Sequence, residues 1–107
     1  MNIVIIGSGN IATHLAQALY SANNTILQVY SRTLANAQAL ANVVFSQAIN
    51  DLQHINTEAD LYIIAVSDSA IASVANEIPK SLQGIVAHTS GATSLDELAD
   101  FTNSGVI

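Results

Sequence analysis

The run Gly7-Ser8-Gly9-Asn10-Ile11-Ala12 has the G-x-G-x-x-A spacing of a turn that receives a pyrophosphate. Each small residue has a separate task there. Gly7 permits the tight reversal, Gly9 lets the backbone approach the phosphates, and Ala12 lets the following helix lie close to the strand before it. A helix opening at this turn points unpaired N–H groups and a partial positive charge at the anion. A plain glycine turn between strand and helix is the other use of the same residues.

A second constellation follows about twenty residues later. Sites for NAD, FAD or S-adenosylmethionine place a carboxylate there to hold ribose hydroxyls, yet no Asp or Glu occurs before Asp51. Instead the chain reads Tyr30-Ser31-Arg32-Thr33, with Ser31 and Thr33 flanking a guanidinium. That chemistry suits a phosphate on the adenosine ribose and predicts NADP(H) as the cofactor. Otherwise Arg32 is a solvated helix-start residue with Ser31 or Thr33 as its cap.

Two further segments carry polar groups at strand ends. The backbone of Ala65-Val66-Ser67-Asp68, at the carboxyl end of the fourth strand, would face the nicotinamide half, although Ser67 and Asp68 are also ordinary helix N-caps. In His88-Thr89-Ser90-Gly91, His88 could bond a substrate or the nicotinamide carboxamide, with Ser90 beside it. No catalytic residue is assigned. His14, His54 and His88 show no metal-ligand spacing and cysteine is absent, so no metal site is expected.

These residues need a scaffold of alternating strands and helices. Ile3–Ile6 predicts a first strand, and the three- and four-residue steps of Ile11, Leu15, Ala18, Leu19 and Ala22 predict a helix ending at Asn23-Asn24. Thr25 to Tyr30 reads as a second strand, Leu34 to Ala41 as a helix with Ala37, Leu40 and Ala41 inward, and Val43 to Phe45 as a weak third strand. Asp51 to Ile55 reads as a helical turn and Asp60 to Val66 as the central fourth strand. A helix capped by Ser67-Asp68 and running to about Ile78, a fifth strand from Gly84 to His88, a capping box at Ser94–Glu97 and the start of a sixth strand at Gly105–Ile107 complete the pattern. It predicts a doubly wound α/β domain, residues 1–107, with parallel strand order 3-2-1-4-5 and the cofactor across the carboxyl ends of strands one and four.

Composition narrows the partners. Half of the residues are apolar and 9% are charged, a surplus expected to be covered by a second domain or another copy of the chain. The net charge of −6 repels nucleic acid. No apolar run reaches the length of a membrane span or the form of a signal peptide, so a cytoplasmic protein is expected, with no membrane partner.

Taken in order, Gly7 to Leu15, Tyr30 to Thr33, Ala65 to Asp68 and His88 to Gly91 resemble the N-terminal Rossmann-like domain of a bacterial reductase-like family. Its members are relatives of pyrroline-5-carboxylate reductase and of the deazaflavin-dependent NADP oxidoreductases, and they carry an all-helical C-terminal domain. The resemblance implies NADP binding by Gly7 to Ala12 and by Ser31, Arg32 and Thr33, with Ser67, Asp68, His88 and Ser90 near the nicotinamide. The function expected is hydride transfer to or from a small imine, carbonyl or deazaflavin-type substrate, of which the resemblance itself says little. The chain is expected to be the first part of a longer oxidoreductase. A non-catalytic NADP(H)-binding or sensing module is the alternative, and a methyltransferase is disfavoured by the missing carboxylate.

Overall fold

In the computed structural model, residues 1–66, 73–74, 76–79, 82, 84–88 and 104–106 are described. The first strand, β1 (Asn2–Ile6), is apolar at four successive positions because both of its faces are covered. Val4 and Ile6 belong to one buried cluster, Ile3 and Ile5 to the other. This alternation is the two-residue period of a strand set between two layers.

Helix α1 (Asn10–Ser21) packs on the second of these clusters through Ala12 and Ala16, both fully buried. The predicted stripe was different. Ile11, Ala18 and Ala22 are exposed, while Leu15 and Leu19 are only partly buried at the flanks. Two alanines four residues apart let the helix axis approach the sheet, which turns the bulkier side chains to either side. The helix stops where expected, with Asn23 at φ 69° and the Asn24 side-chain amide donating to the Leu19 carbonyl at 3.0 Å.

Strand β2 (Thr25–Tyr30) has its expected bounds. Helix α2 (Leu34–Val44) runs three residues beyond the expected end, so the strand predicted at Val43 to Phe45 does not form. Val44 continues the buried stripe of Ala37, Leu40 and Ala41, and this outweighs the β-branched preference of the pair Val43-Val44. Phe45 then closes the helix in the left-handed conformation (φ 54°), and the third strand is β3 (Gln47–Ile49). The Phe45 ring stays exposed and lies 5.7 Å from that of Tyr20.

A 3-10 turn (Leu52–His54) is capped by Asp51, whose Oδ1 accepts from the Gln53 N–H at 2.9 Å. The chain from here to the next strand is pinned by two polar side chains of the interior. Gln28 on β2, 7% exposed, donates to the His54 carbonyl and accepts from the Asn56 N–H. The Tyr62 hydroxyl donates to the Asn56 carbonyl and accepts from the Ala59 N–H. The buried polar atoms of Gln28 and Tyr62 are thereby satisfied, as burial requires.

The central strand β4 (Leu61–Ile64) is shorter than the expected span, although the Ala65 N–H still donates to the Ile6 carbonyl at 2.8 Å. Beyond it Ser73, Val74, Asn76 and Glu77 are helical, and Val74 and Ile78 cover the first cluster. β5 (Ile85–His88) and β6 (Ser104–Val106) follow. The capping box at Ser94–Glu97 lies outside the described residues. The sheet order is β3-β2-β1-β4-β5-β6 with every pair parallel, the expected 3-2-1-4-5 order carried one strand further. The chain winds outward from β1 to β3, then crosses back to β4 on the other side of β1. That reversal leaves a crevice at the carboxyl ends of β1 and β4, the position where open parallel sheets bind ligands.

Candidate functional site

The crevice holds a cavity of about 640 Å³, within the range of small-molecule sites. Its floor is the turn after β1. The Gly7 N–H donates to the Tyr30 carbonyl at 2.8 Å, tying the turn to the end of β2. Gly7 adopts φ +130°, and a Cβ there would overlap the Ala65 carbonyl oxygen. This glycine is demanded by the fold itself. Gly7→Ala should therefore destabilise the protein by at least about 1–3 kcal/mol from the backbone conformation alone. In thermal denaturation the midpoint should fall by roughly 4–8 °C for each kcal/mol lost. A variant that melts with the wild type would show that the turn relaxes without cost.

Gly9 is different. As N-cap of α1 it has φ −77° and ψ −167°, which any residue adopts, and a Cβ there would meet nothing within 4 Å. Neither conformation nor packing within the chain calls for glycine. The space its missing side chain leaves lies on the wall of the cavity, which is what a ligand approaching the backbone needs. Around it, α1 begins without a side-chain cap and without an acidic residue in its first turn. Its first intrahelical bond is from the Thr13 N–H to the Gly9 carbonyl at 2.9 Å. The N–H groups ahead of Thr13 have no helical acceptor, so a positive, undercapped helix end borders the cavity.

The end of β2 supplies the opposite wall. The Ser8 hydroxyl donates to the Ser31 hydroxyl at 3.1 Å, joining the glycine turn to the β2–α2 connection. Ser31 Oγ also accepts from the Thr33 N–H at 3.4 Å. Arg32 lies on the cavity wall with its side chain exposed, and among the described residues no Asp or Glu lines the cavity. Beside it Tyr30 is 5% exposed. Burial pushes the Tyr30 hydroxyl above its ordinary pKa, the Glu77 carboxylate adds to the rise, the Arg32 guanidinium offsets part of it, and Asp51 adds to it again. The phenol is therefore neutral at physiological pH.

The structure thus brings Gly7, Ser8, Gly9, Asn10, Ile11, Ser31, Arg32 and Val66 to one cavity. Ala12 lies beneath it, fully buried against the sheet, and Thr33 is the exposed N-cap of α2 rather than part of the wall. The Thr33 hydroxyl makes no capping bond. Ser67, Asp68 and Ser90 lie outside the described residues. His88 ends β5, paired with Ile64 of β4 and Val106 of β6, and its side chain lies outside the description. Ala65 lines it too, as its place in the Ala65–Asp68 stretch leads one to expect, while Tyr30 and Val74 were not assigned to the site. Tyr30 stands beside a predicted position at a strand end, whereas Val74 reaches the cavity only through the packing of its helical segment on the sheet.

Comparison with known proteins bears on this arrangement directly. Residues 1–107 match the Rossmann-like domain. The chain belongs to that family. No curated protein gives a match. Among solved structures, this Rossmann-like domain is similar to a Bacteroides fragilis protein assigned as an NADP oxidoreductase, at 36% identity and a TM-score of 0.86 over 98% of this chain and 42% of that one. It shares its fold with arogenate dehydrogenase of Synechocystis (17% identity, TM-score 0.76, 98% of this chain and 40% of that one). It shares it too with prephenate dehydrogenase of A. aeolicus, solved with hydroxyphenyl propionate and NAD+ (11% identity, TM-score 0.75, 98% and 40%). The chain spans about two fifths of the length of these proteins. No helix among the described residues is long and apolar enough to cross a membrane.

Proposed function

We propose that this Rossmann-like domain binds NADP(H) and serves an oxidoreductase that moves hydride to or from a small imine, carbonyl or deazaflavin-type substrate. The observation that carries the reading is the wall of the cavity at the end of β2. A bonded pair of hydroxyls, Ser8 and Ser31, shares this wall with Arg32, where a ribose-binding carboxylate would favour NAD(H). The open Cβ position of Gly9 and the undercapped start of α1 fit a pyrophosphate. The similarity to the Bacteroides fragilis protein supports the same cofactor.

When bound, the nicotinamide supplies the hydride chemistry, and the chain's own residues bind and orient the cofactor. In this reading Gly7 to Ala12 hold the pyrophosphate, Ser31, Arg32 and Thr33 meet the 2′-phosphate, and Val66, Ser67, Asp68, His88 and Ser90 border the nicotinamide half. A helical domain beyond these residues, or a second copy of the chain, would close the substrate side. Calorimetric titration of the protein with NADPH and NADH tests the reading. NADPH should bind at least about tenfold more tightly, the smallest effect of one charge-assisted contact. Equal affinities, or no binding of either, would overturn it. Oxidation of NADPH on addition of an imine, carbonyl or deazaflavin separates an enzyme from a sensing module, which would bind and not turn over.

A further inference from the structure

We propose that Ser8 is a positioning residue for cofactor specificity: its bond to Ser31 leaves the Ser31 hydroxyl with a proton to give and no lone pair to offer, a polarity suited to a phosphate on the adenosine ribose. The proposal rests on the reading of the site as one for NADP(H). Residue type and spacing place Ser8 in the pyrophosphate turn, 23 positions from Ser31. The fold brings the two together. Pairing of β1 with β2 runs to Ile6 and Tyr30, and the Gly7 N–H still donates to the Tyr30 carbonyl at 2.8 Å. One residue further along, the Ser8 hydroxyl donates to the Ser31 hydroxyl at 3.1 Å, so a side-chain bond carries the ladder past its last backbone bond. On the β3 side the Ser31 N–H donates to the Ile49 carbonyl at 3.1 Å. Both serines are half-buried, line the cavity and stand on backbone anchored at or next to them.

Hydrogen-bonding capacity gives this arrangement its direction. A serine hydroxyl has one proton to donate and two lone pairs with which to accept. Ser31 Oγ accepts from the Ser8 hydroxyl at 3.1 Å and from the Thr33 N–H at 3.4 Å, which engages both lone pairs. Its proton is the one capacity left. A 2′-phosphate presents charged oxygens that accept such a proton strongly. A 2′-hydroxyl can accept it too but must then place its own proton. Ser31 has no lone pair for that proton, and among the described residues no carboxylate lines the cavity to take it. The Thr33 N–H can only donate, so Ser8 decides the matter. Without the Ser8 hydroxyl one lone pair of Ser31 is released, and Ser31 serves a ribose hydroxyl as readily as a phosphate.

The test is a double-mutant cycle on the protein with Ser8→Ala and Ser31→Ala, titrated calorimetrically with NADPH and NADH. Ser31→Ala removes the charge-assisted bond and should weaken NADPH at least about tenfold. Ser8→Ala should weaken NADPH by about three- to tenfold, the effect of one hydrogen bond lost from the network. NADH meets Ser31 without a charge and should change by no more than about threefold in either variant, which also reports that each is folded. Added to Ser31→Ala, Ser8→Ala should cost nothing further, because the hydroxyl it orients is gone. Equal losses for the two nucleotides in Ser8→Ala would place its hydroxyl on the pyrophosphate, which both carry, and overturn the proposal. Additive losses in the double variant would overturn it as well. A wild type that does not prefer NADPH would overturn the functional reading too. A wild type that prefers NADPH while Ser8→Ala keeps the full preference would overturn this proposal alone.

Discussion

Gly9→Val should abolish nucleotide binding and leave the protein folded. The backbone at Gly9 is in an ordinary extended conformation, and the first atoms of a side chain there would enter open space. Folding stability should hardly change. Replacing glycine restricts the unfolded chain, which favours folding by about 0.4–1 kcal/mol where the native conformation is compatible. Valine is also a poor N-cap, which offsets part of that gain. A bound nucleotide experiences the opposite effect. The isopropyl group would occupy the space where a pyrophosphate meets the first N–H groups of α1. Two charge-assisted bonds of about 1.5–3 kcal/mol each would be lost. Together they correspond to roughly 10²- to 10⁴-fold in affinity. Calorimetry with NADPH, paired with thermal denaturation followed by circular dichroism, checks both halves. Normal binding by Gly9→Val would mean that the run from Gly7 to Ala12 is only a turn.

The contrast between Gly7 and Gly9 marks how far the amino-acid sequence alone could be read. Both glycines belong to one motif, and spacing assigns them different tasks. Only the fold shows that Gly7 is held by its φ of +130° and the carbonyl of Ala65, a residue 58 positions away, while nothing among the described residues constrains Gly9. Strands with both faces covered, such as Asn2–Ile6 and Leu61–Ile64, were legible because a short run of β-branched residues has few other uses. The strand expected at Val43 failed for the converse reason. Two adjacent valines read as strand until the buried position of Val44, one helical turn beyond Leu40 and Ala41, decides for the helix. Ser31 and Arg32 were found by residue type, since one of only two Lys or Arg residues stands just past a strand. Tyr30 and Val74 escaped because an apolar or aromatic residue on a cavity wall carries the same pattern as one in the core.

Arg32→Ala should weaken NADPH selectively. Arg32 is the only Lys or Arg before Lys80, it lies on the cavity wall, and among the described residues no carboxylate lines that wall to compete for the ribose. A charge-assisted bond from a guanidinium to a 2′-phosphate contributes about 1.5–3 kcal/mol. This corresponds to roughly 10- to 150-fold in affinity. The side chain is exposed, so solvent and salt screen the contact and draw the expected loss toward the lower end of that range at physiological ionic strength. NADH carries no phosphate at this position, and its affinity should stay within about twofold, the scatter expected of a surface substitution. The two nucleotides therefore separate a specific contact from a general loss of structure. Raising the salt should narrow the difference between wild type and variant for NADPH and leave NADH unaffected, because only the former depends on the guanidinium. Titration of both nucleotides at two ionic strengths measures all of this. Equal losses for both, or none for either, would mean that Arg32 is a solvated residue at the start of α2 and that the preference for NADP(H) has to be sought elsewhere on the cavity wall.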